Sequence, residues 1–133
     1  MKNKFVHIIL LSIFIGAVSC SSNKSVIKGS WAIVEENGYP VNRKQIKHYT
    51  DKYFIWHTMD QSNLIVTAAG GEYKIDGDEL YEVMEMTMPS NSAFKGNTAK
   101  IKIKLKKDTL IQNTVIPMQN GDNKFTEKWV RIK

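Results

Sequence analysis

The amino-acid sequence predicts an all-β protein that forms a single antiparallel up-and-down barrel of about 8–10 strands. From residue 28 onward, short apolar or alternating runs are separated by turn residues at intervals of about 8–12 residues. The links between these runs are short, which favours pairing between consecutive strands. The chain has 133 residues, which suits one domain, and a sheet of this size removes its exposed edges by closing on itself.

Each expected strand ends at residues that favour turns. The strands are expected at residues 29–35, 44–49, 53–58, 63–68, 72–75, 79–88, 99–106, 109–116 and 124–132. The separating residues are, in chain order, Asn37-Gly38, Thr50-Asp51, Asp60-Gln61-Ser62, Gly70-Gly71, Asp76-Gly77, Pro89-Ser90, Lys107-Asp108 and Asn120-Gly121. Asp76-Gly77 is a strong hairpin signal, because glycine adopts the positive φ that such turns require.

Residues 99–106 indicate which side chains face the core. Apolar residues alternate there with four lysines, so we expect the apolar set to point inward and the lysines to face water. A basic surface for nucleic acid is the alternative interpretation, and the formal net charge of +6 permits it. No aromatic residues interleave with the lysines to stack on bases, so we expect no nucleic-acid partner.

The first residues of the chain predict a targeting segment. Residues 1–19 combine Lys2 and Lys4 with an apolar stretch that is too short to span a bilayer. The stretch ends in Ala17-Val18-Ser19-Cys20, which resembles the lipobox of bacterial lipoproteins. The resemblance implies cleavage before Cys20, a lipid on its thiol and attachment to a membrane. The alternative is an ordinary secretory signal that leaves Cys20 as a free thiol.

The resemblance to lipoproteins also implies a cellular location and a domain boundary. In bacterial lipoproteins an Asp after the lipidated cysteine favours the inner membrane, and Ser21 stands at that position here. We therefore expect a lipid-anchored protein of the bacterial cell envelope, in the outer membrane and facing the periplasm. Residues 20–27 are expected to be the lipidated cysteine and a flexible tether, and residues 28–133 the barrel.

The two ends of the predicted barrel carry a family resemblance. Gly29-Ser30-Trp31 opens the first strand, and Trp129-Val130-Arg131 closes the last. This pair resembles the lipocalins and the wider calycin superfamily, including small lipocalin-like domains of bacterial lipoproteins. The resemblance implies that Gly29, Trp31 and Arg131 form a structural plug, with the indole across the closed end and the guanidinium covering it.

Calycins bind small hydrophobic molecules inside the barrel, and strand parity suggests which residues here would line such a cavity. Phe54 and Trp56 share one face of a strand, and Glu82 shares a face with flexible methionines. A buried Glu82 would either meet a ligand head group or be paired within the protein. The residues expected to line the cavity are His48, Phe54, Trp56, Glu82, Met84 and Met86. The alternative is that these side chains fill the core.

The function favoured by these observations is ligand binding by a lipid-anchored lipocalin-like protein. The alternative is a structural or interaction lipoprotein of the same fold, with a filled core and no ligand. The sequence has no nucleophile elbow, phosphate loop or metal motif, so we expect no enzyme activity, no cofactor and no metal. His48 and His57 on neighbouring strands leave a metal site as a minor alternative. The single cysteine excludes an intramolecular disulfide.

Overall fold

The computed structural model describes residues 26–133, so the predicted signal peptide and the lipidation at Cys20 lie outside the described residues. The strands are β1 (Gly29–Glu36), β2 (Tyr39–Pro40), β3 (Lys44–Tyr49), β4 (Tyr53–Met59), β5 (Ile65–Asp76), β6 (Glu79–Val83), β7 (Met86–Thr87), β8 (Thr98–Lys106), β9 (Thr109–Ile116) and β10 (Asn123–Arg131). A short 3₁₀ helix covers Pro89–Phe94. Within residues 26–133, no helix has the length and apolar character needed to cross a bilayer.

Eight of these strands close into one antiparallel barrel, which confirms the predicted fold class. The order around the barrel is β1, β3, β4, β5, β6, β8, β9 and β10, and β10 pairs with β1 to close it. The two-residue strands β2 and β7 pair with β1 and β5. Each long strand therefore neighbours the next long strand along the chain, as in an up-and-down barrel.

The alternation along β8 follows the sequence pattern. Ala99, Ile101 and Ile103 are at most 9% exposed. The side chains of Lys100 and Lys102 point to solvent, where they pair with Glu79 and Asp78. Inward-facing positions on the other strands build the core in the same way, because alternate side chains of a closed sheet point inside.

Strand β5 differs from the prediction. A break was expected at Gly70-Gly71, whereas β5 runs for 12 residues through both glycines. A Cβ atom at Gly71 would lie 1.9 Å from the carbonyl oxygen of Val83. The glycine therefore permits a close approach of two backbone segments, which is the other common reason for a glycine inside a strand.

The expected strand 79–88 is also divided. Strand β6 ends at Val83, and β7 pairs separately with Ala69 and Gly70 of β5. Between them the amide of Glu85 donates to the carbonyl oxygen of Gly70 at 3.0 Å. The inward-outward alternation is thus interrupted after Met84.

The closed end of the barrel is plugged by Trp31, which is fully buried. Its indole Nε1 donates to the carbonyl oxygen of Ile27 at 2.8 Å. Ile27 was expected in the flexible tether, but its side chain is 1% exposed and belongs to the core. The packed domain therefore includes residues just before β1.

Arg131 covers the plug, at the position that the resemblance implied. Its guanidinium carbon lies 4.2 Å from the centroid of the Trp31 ring, and the group donates to the carbonyl oxygens of Lys28 and Val26. Gly29 has φ +121°, and a Cβ atom there would lie 2.9 Å from Nη1 of Arg131. Only glycine suits this position on both grounds.

Candidate functional site

A cavity of about 310 Å³ occupies the half of the barrel opposite the plug. Glu36, the last residue of β1, and Asn123, the first residue of β10, stand at its rim. The plug lies at the other ends of these two strands, near Gly29 and Arg131. The cavity therefore opens at the end of the barrel that Trp31 does not close.

Apolar side chains form one part of the cavity lining, beside the polar side chains of the rim and the bottom. They come from β4, the residue that follows β6, the 3₁₀ helix and β8 to β10. The apolar wall consists of Trp56, Met84, Phe94, Ala99, Ile101, Ile116 and Phe125. Aromatic rings and a flexible methionine on several sides suit an apolar guest of variable shape.

The bottom of the cavity is charged, and we call Lys47, Glu82 and Glu127 the polar floor. All three side chains are at most 6% exposed. The Lys47 ammonium lies 3.3 Å from Oε1 of Glu82 and donates to Oε1 of Gln112 at 2.9 Å. It also lies 5.0 Å from the ring centroid of Trp129. Charges buried in this way require partners, and Glu82 and Gln112 provide them for Lys47.

Tyr49 holds the Glu82 carboxylate from below the floor. Its hydroxyl donates to Oε1 of Glu82 and accepts from Nε2 of Gln112 at 2.8 Å. Burial raises the pKa of the Tyr49 hydroxyl well above its usual value, and the neighbouring Glu82 charge raises it further. Tyr49 therefore remains a protonated donor, and the Glu82 carboxylate is fixed by Lys47 and Tyr49 together.

Glu127 is the second carboxyl of the floor and is bound differently. Its Oε2 accepts from the indole Nε1 of Trp129 at 3.2 Å. Burial raises the pKa of Glu127 above its usual value, against the opposing effect of the Lys47 charge. Among residues 26–133, no lysine or arginine nitrogen lies within 4.0 Å of its carboxyl oxygens.

Thr114 adds an unsatisfied polar atom to the cavity. Its side chain is buried and lines the cavity, and its hydroxyl oxygen has no hydrogen-bond partner in the protein. Gln112 pairs with Glu127 across β9 and β10, and Thr114 lies two residues further along β9. Thr114 is therefore a diagonal neighbour of Glu127 on the inner face of the sheet.

The charges at the rim are paired with one another. The Arg43 guanidinium donates to Oε2 of Glu36 at 2.7 Å and to Oε1 of Gln45 at 2.6 Å. The Lys124 ammonium lies 3.8 Å from Oδ2 of Asp122. These contacts leave the rim polar and close to electrically neutral.

Trp56, Glu82 and Met84 were predicted to line the cavity, and the structure brings them together there. Phe54 also points inward and is 2% exposed, but it does not line the cavity. It lies one step closer to the plug, with its ring centroid 6.5 Å from that of Tyr49. The predicted role of Phe54 as a cavity residue is therefore wrong, and the side chain belongs to the filled half of the barrel.

The prediction that His48 points into the cavity is wrong. Strand β3 turns Gln45, Lys47 and Tyr49 inward, so His48 lies on the outer face. There its Nδ1 forms a hydrogen bond of 2.7 Å with the Ser30 hydroxyl, and its ring stacks on that of His57 at 5.5 Å. Partial burial lowers the pKa of His48, and the neighbouring His57 lowers it further.

The prediction for Met86 is also wrong, because this side chain is 60% exposed on the outside of the barrel. The sequence showed a regular alternation from Leu80 to Met88, but the chain bends after Met84 to pair with a different part of β5. Met84 therefore points inward as predicted, whereas Met86 points outward.

Sequence reasoning missed Lys47, Gln112, Thr114 and Glu127. A signal for Lys47 was available in the hairpin of β3 and β4, where Lys47 pairs with Trp56 and Tyr49 with Phe54. Antiparallel partners share a face, so an inward Phe54 and Trp56 require an inward Lys47 and exclude an inward His48.

Comparisons with known proteins give a family and a distant structural likeness. No curated protein sequence matches the chain. The fold is similar to the crystal structure of zebrafish ileal bile acid-binding protein complexed with cholic acid, with a TM-score of 0.44 and 11% identity over 79% of this chain and 98% of that chain. Residues 25–133 match the family described as "Domain of unknown function (DUF4488)", and the chain belongs to that family.

Proposed function

We propose that this protein binds a small hydrophobic or amphipathic ligand inside its barrel while a lipid on Cys20 anchors it in the bacterial cell envelope. The cavity of about 310 Å³ between an apolar wall and a polar floor is the observation that carries the proposal. Ligand pockets of proteins commonly combine mostly apolar walls with a few placed polar groups, at volumes of about 300–1,000 Å³. The ligand is therefore small.

The distribution of packing favours this function over a filled barrel. The half near the plug is filled by side chains such as Trp31, Phe54 and Leu80, each at most 2% exposed. The other half contains the cavity and the unsatisfied Thr114 hydroxyl. A barrel whose interior served stability alone would gain from filling both halves with apolar side chains.

The anchor and the cavity lie at opposite ends under this proposal. The lipobox resemblance assigns the lipid to Cys20, and residues 21–25 separate it from the described part of the chain. Val26 joins the barrel at the plug, where Arg131 binds its carbonyl oxygen. The cavity mouth would then face away from the membrane, toward the periplasm if Ser21 directs the protein to the outer membrane.

Probe binding to the purified full chain tests the cavity. N-phenyl-1-naphthylamine is a neutral apolar probe, and we expect it to bind saturably and to change the emission of Trp56, which lies in the cavity wall. Met84→Trp should reduce its affinity at least about tenfold by filling the cavity. Met86→Trp is the matched control, because the same change on the outer surface should alter the affinity less than twofold.

Absence of saturable binding by a folded wild-type protein would overturn the ligand-binding proposal in favour of the filled-core alternative. Equal effects of Met84→Trp and Met86→Trp would place the probe outside the barrel and overturn it as well. Native mass spectrometry of the protein purified from its own host would identify a retained ligand by mass.

Metabolic labelling with radioactive palmitate tests the anchor separately. The wild-type chain should incorporate label and fractionate with membranes. Cys20→Ser should abolish the label and either release the protein or leave an uncleaved precursor. Label in the variant would overturn lipidation at Cys20.

A further inference from the structure

The polar floor holds one more carboxyl group than cations. The Lys47 ammonium is shared between the Glu82 carboxylate and Gln112, and Glu82 is further held by Tyr49. Glu127 has only the Trp129 indole as a hydrogen-bond partner among residues 26–133. When both glutamates are ionised, the floor therefore has an excess of one negative charge beneath an apolar wall.

The other cations that line the cavity, Arg43 and Lys124, stand at the rim, where they are paired with acidic side chains. The charges acting on Glu127 are Lys47 on β3, Glu82 on β6 and Glu36 on β1. Lys47 is already paired with Glu82, and Glu36 is itself acidic and bound to Arg43. A guest with a positive charge would provide the missing counterion, and it would reverse the effect of burial that raises the pKa of Glu127.

Thr114 points to a ligand independently of charge. Its hydroxyl is buried, lines the cavity and has no partner, although burying an unpaired hydroxyl is unfavourable. It lies diagonally next to Glu127 on the inner face of the sheet. A hydrogen-bond donor of a ligand that binds Glu127 would also lie near the Thr114 hydroxyl oxygen, which would accept a second hydrogen bond.

We propose that the ligand carries a protonated amine, which is held by Glu127 and Thr114 while its apolar part lies against Trp56, Met84 and Phe125. The inference rests on the proposed ligand-binding function and specifies the head group. An ammonium has three donors and no acceptor, which matches a carboxylate and a free hydroxyl oxygen. Its bond to the carboxylate is charge-assisted and shielded from water by the apolar wall.

An anionic head group fits the floor less well. It would approach two carboxylates, and the only ammonium there is already shared between Glu82 and Gln112. Like charges at short range in a buried site repel strongly. A neutral head group would avoid this repulsion but would leave Glu127 without a counterion.

Three probes with the same apolar tail separate these possibilities. We would titrate octylamine, 1-octanol and octanoate into the purified full chain at pH 7 and measure the heat of binding. Octylamine should bind at least about tenfold more tightly than octanoate, as expected for a charge-assisted hydrogen bond. Octanol should fall between them.

Glu127→Gln is the critical variant. The amide oxygen can still accept from the Trp129 indole, so the fold should be retained, which a melting curve checks. The affinity of this variant for octylamine should be at least about tenfold lower than that of the wild type, whereas its affinity for octanol should change less than twofold. Glu72→Gln is the matched control, because Glu72 lies on the outer surface in an ion pair with Lys52 and should leave all three affinities unchanged.

The outcomes distinguish this inference from the function on which it rests. If the three probes bind equally, or octanoate binds best, the amine assignment is wrong and the ligand-binding function stands. If Glu127→Gln leaves octylamine binding unchanged, the amine is not held by Glu127 and the inference is overturned. If no probe binds the folded wild-type protein, both the inference and the proposed function fail.

Discussion

The two halves of the barrel both place a cation against a buried tryptophan, but the cations have different partners. At the plug, Arg131 lies over Trp31 and donates to the backbone carbonyls of Val26 and Lys28. In the interior, Lys47 lies 5.0 Å from the Trp129 ring and is paired with the Glu82 carboxylate. The side chain of Arg131 is 25% exposed, whereas that of Lys47 is 5% exposed.

The difference in solvent exposure between Arg131 and Lys47 affects how each cation contributes to stability. Arg131 keeps contact with water, so it ties Val26 and Lys28 to the barrel with little desolvation cost. Lys47 and Glu82 lose their hydration, and the attraction between buried charges often fails to exceed that loss. A polar floor inside the barrel is therefore poorly explained as a stabilising feature, and its position beneath the cavity agrees with the proposed role in ligand recognition.

The largest expected effect comes from removing the plug. Trp31→Ala deletes a fully buried indole, and the free energy of unfolding should fall by about 3–5 kcal/mol. Urea unfolding followed by circular dichroism measures it. A loss below about 1 kcal/mol would contradict the role of the Trp31 indole as a buried plug, because the cavity left by removing a buried indole destabilises a protein by more than this.

The floor can be tested by breaking its ion pair. Lys47→Met leaves the buried Glu82 carboxylate without its cation, which should lower the free energy of unfolding by about 3 kcal/mol. Adding Glu82→Gln removes the uncompensated charge while an amide oxygen still accepts from Tyr49, so about half of that loss should be recovered. Equal stability of the single and double variants would show that Lys47 does not act through the Glu82 charge.

Glu127 should make stability depend on pH in a way that the plug does not. Its pKa is raised in the folded protein by burial, so folding favours the protonated form. The contribution is fully present below the unfolded-state pKa and is lost as the pH rises from the usual value of 4.5 through the folded-state pKa. Wild-type stability relative to Glu127→Gln should therefore decrease with rising pH over this window in urea titrations. A relative stability that stays constant or rises would contradict the shift.

The sequence predicted strands with an apolar inner face better than strands with a polar inner face, for a physical reason. In β8 and at the Trp31 plug, apolar residues point inward, so hydrophobic alternation and short motifs describe the structure correctly. In β3 the pattern is mixed, because Lys47 and Tyr49 point inward while Ile46 is only half-buried on the outer face. Alternation alone therefore assigned His48 to the interior.

Two other differences depended on contacts between strands. The alternation through Met84 and Met86 gave no sign of the bend between β6 and β7, which depends on pairing with the distant Gly70. Gln112 and Thr114 share the inner face of β9 with the apolar Leu110 and Ile116, but Ile111 and Val115 make the outer face equally apolar in the sequence. Parity alone therefore did not choose between the two faces, and the inward polar residues are recognisable as part of a site only once their neighbours from other strands are known.

The smallest expected effect compares two threonines, one buried with an unsatisfied hydroxyl and one partly buried with a satisfied hydroxyl. Thr114 has an unpartnered hydroxyl in the cavity, whereas the Thr67 hydroxyl donates to Oδ1 of Asn91 at 3.0 Å. Valine has nearly the same shape as threonine and lacks the hydroxyl. Thr114→Val should therefore raise the free energy of unfolding by about 1 kcal/mol, while Thr67→Val should lower it by a similar amount because Asn91 loses its partner.

Ligand binding distinguishes the cause of the Thr114 effect. If the hydroxyl is retained for a ligand, Thr114→Val should gain stability and lose octylamine affinity, at least about threefold for one hydrogen bond. Thr67→Val should leave octylamine affinity unchanged, because Thr67 does not line the cavity. A Thr114 variant that loses stability would show that its hydroxyl is already satisfied in the free protein. The argument for an amine head group would then rest on Glu127 alone.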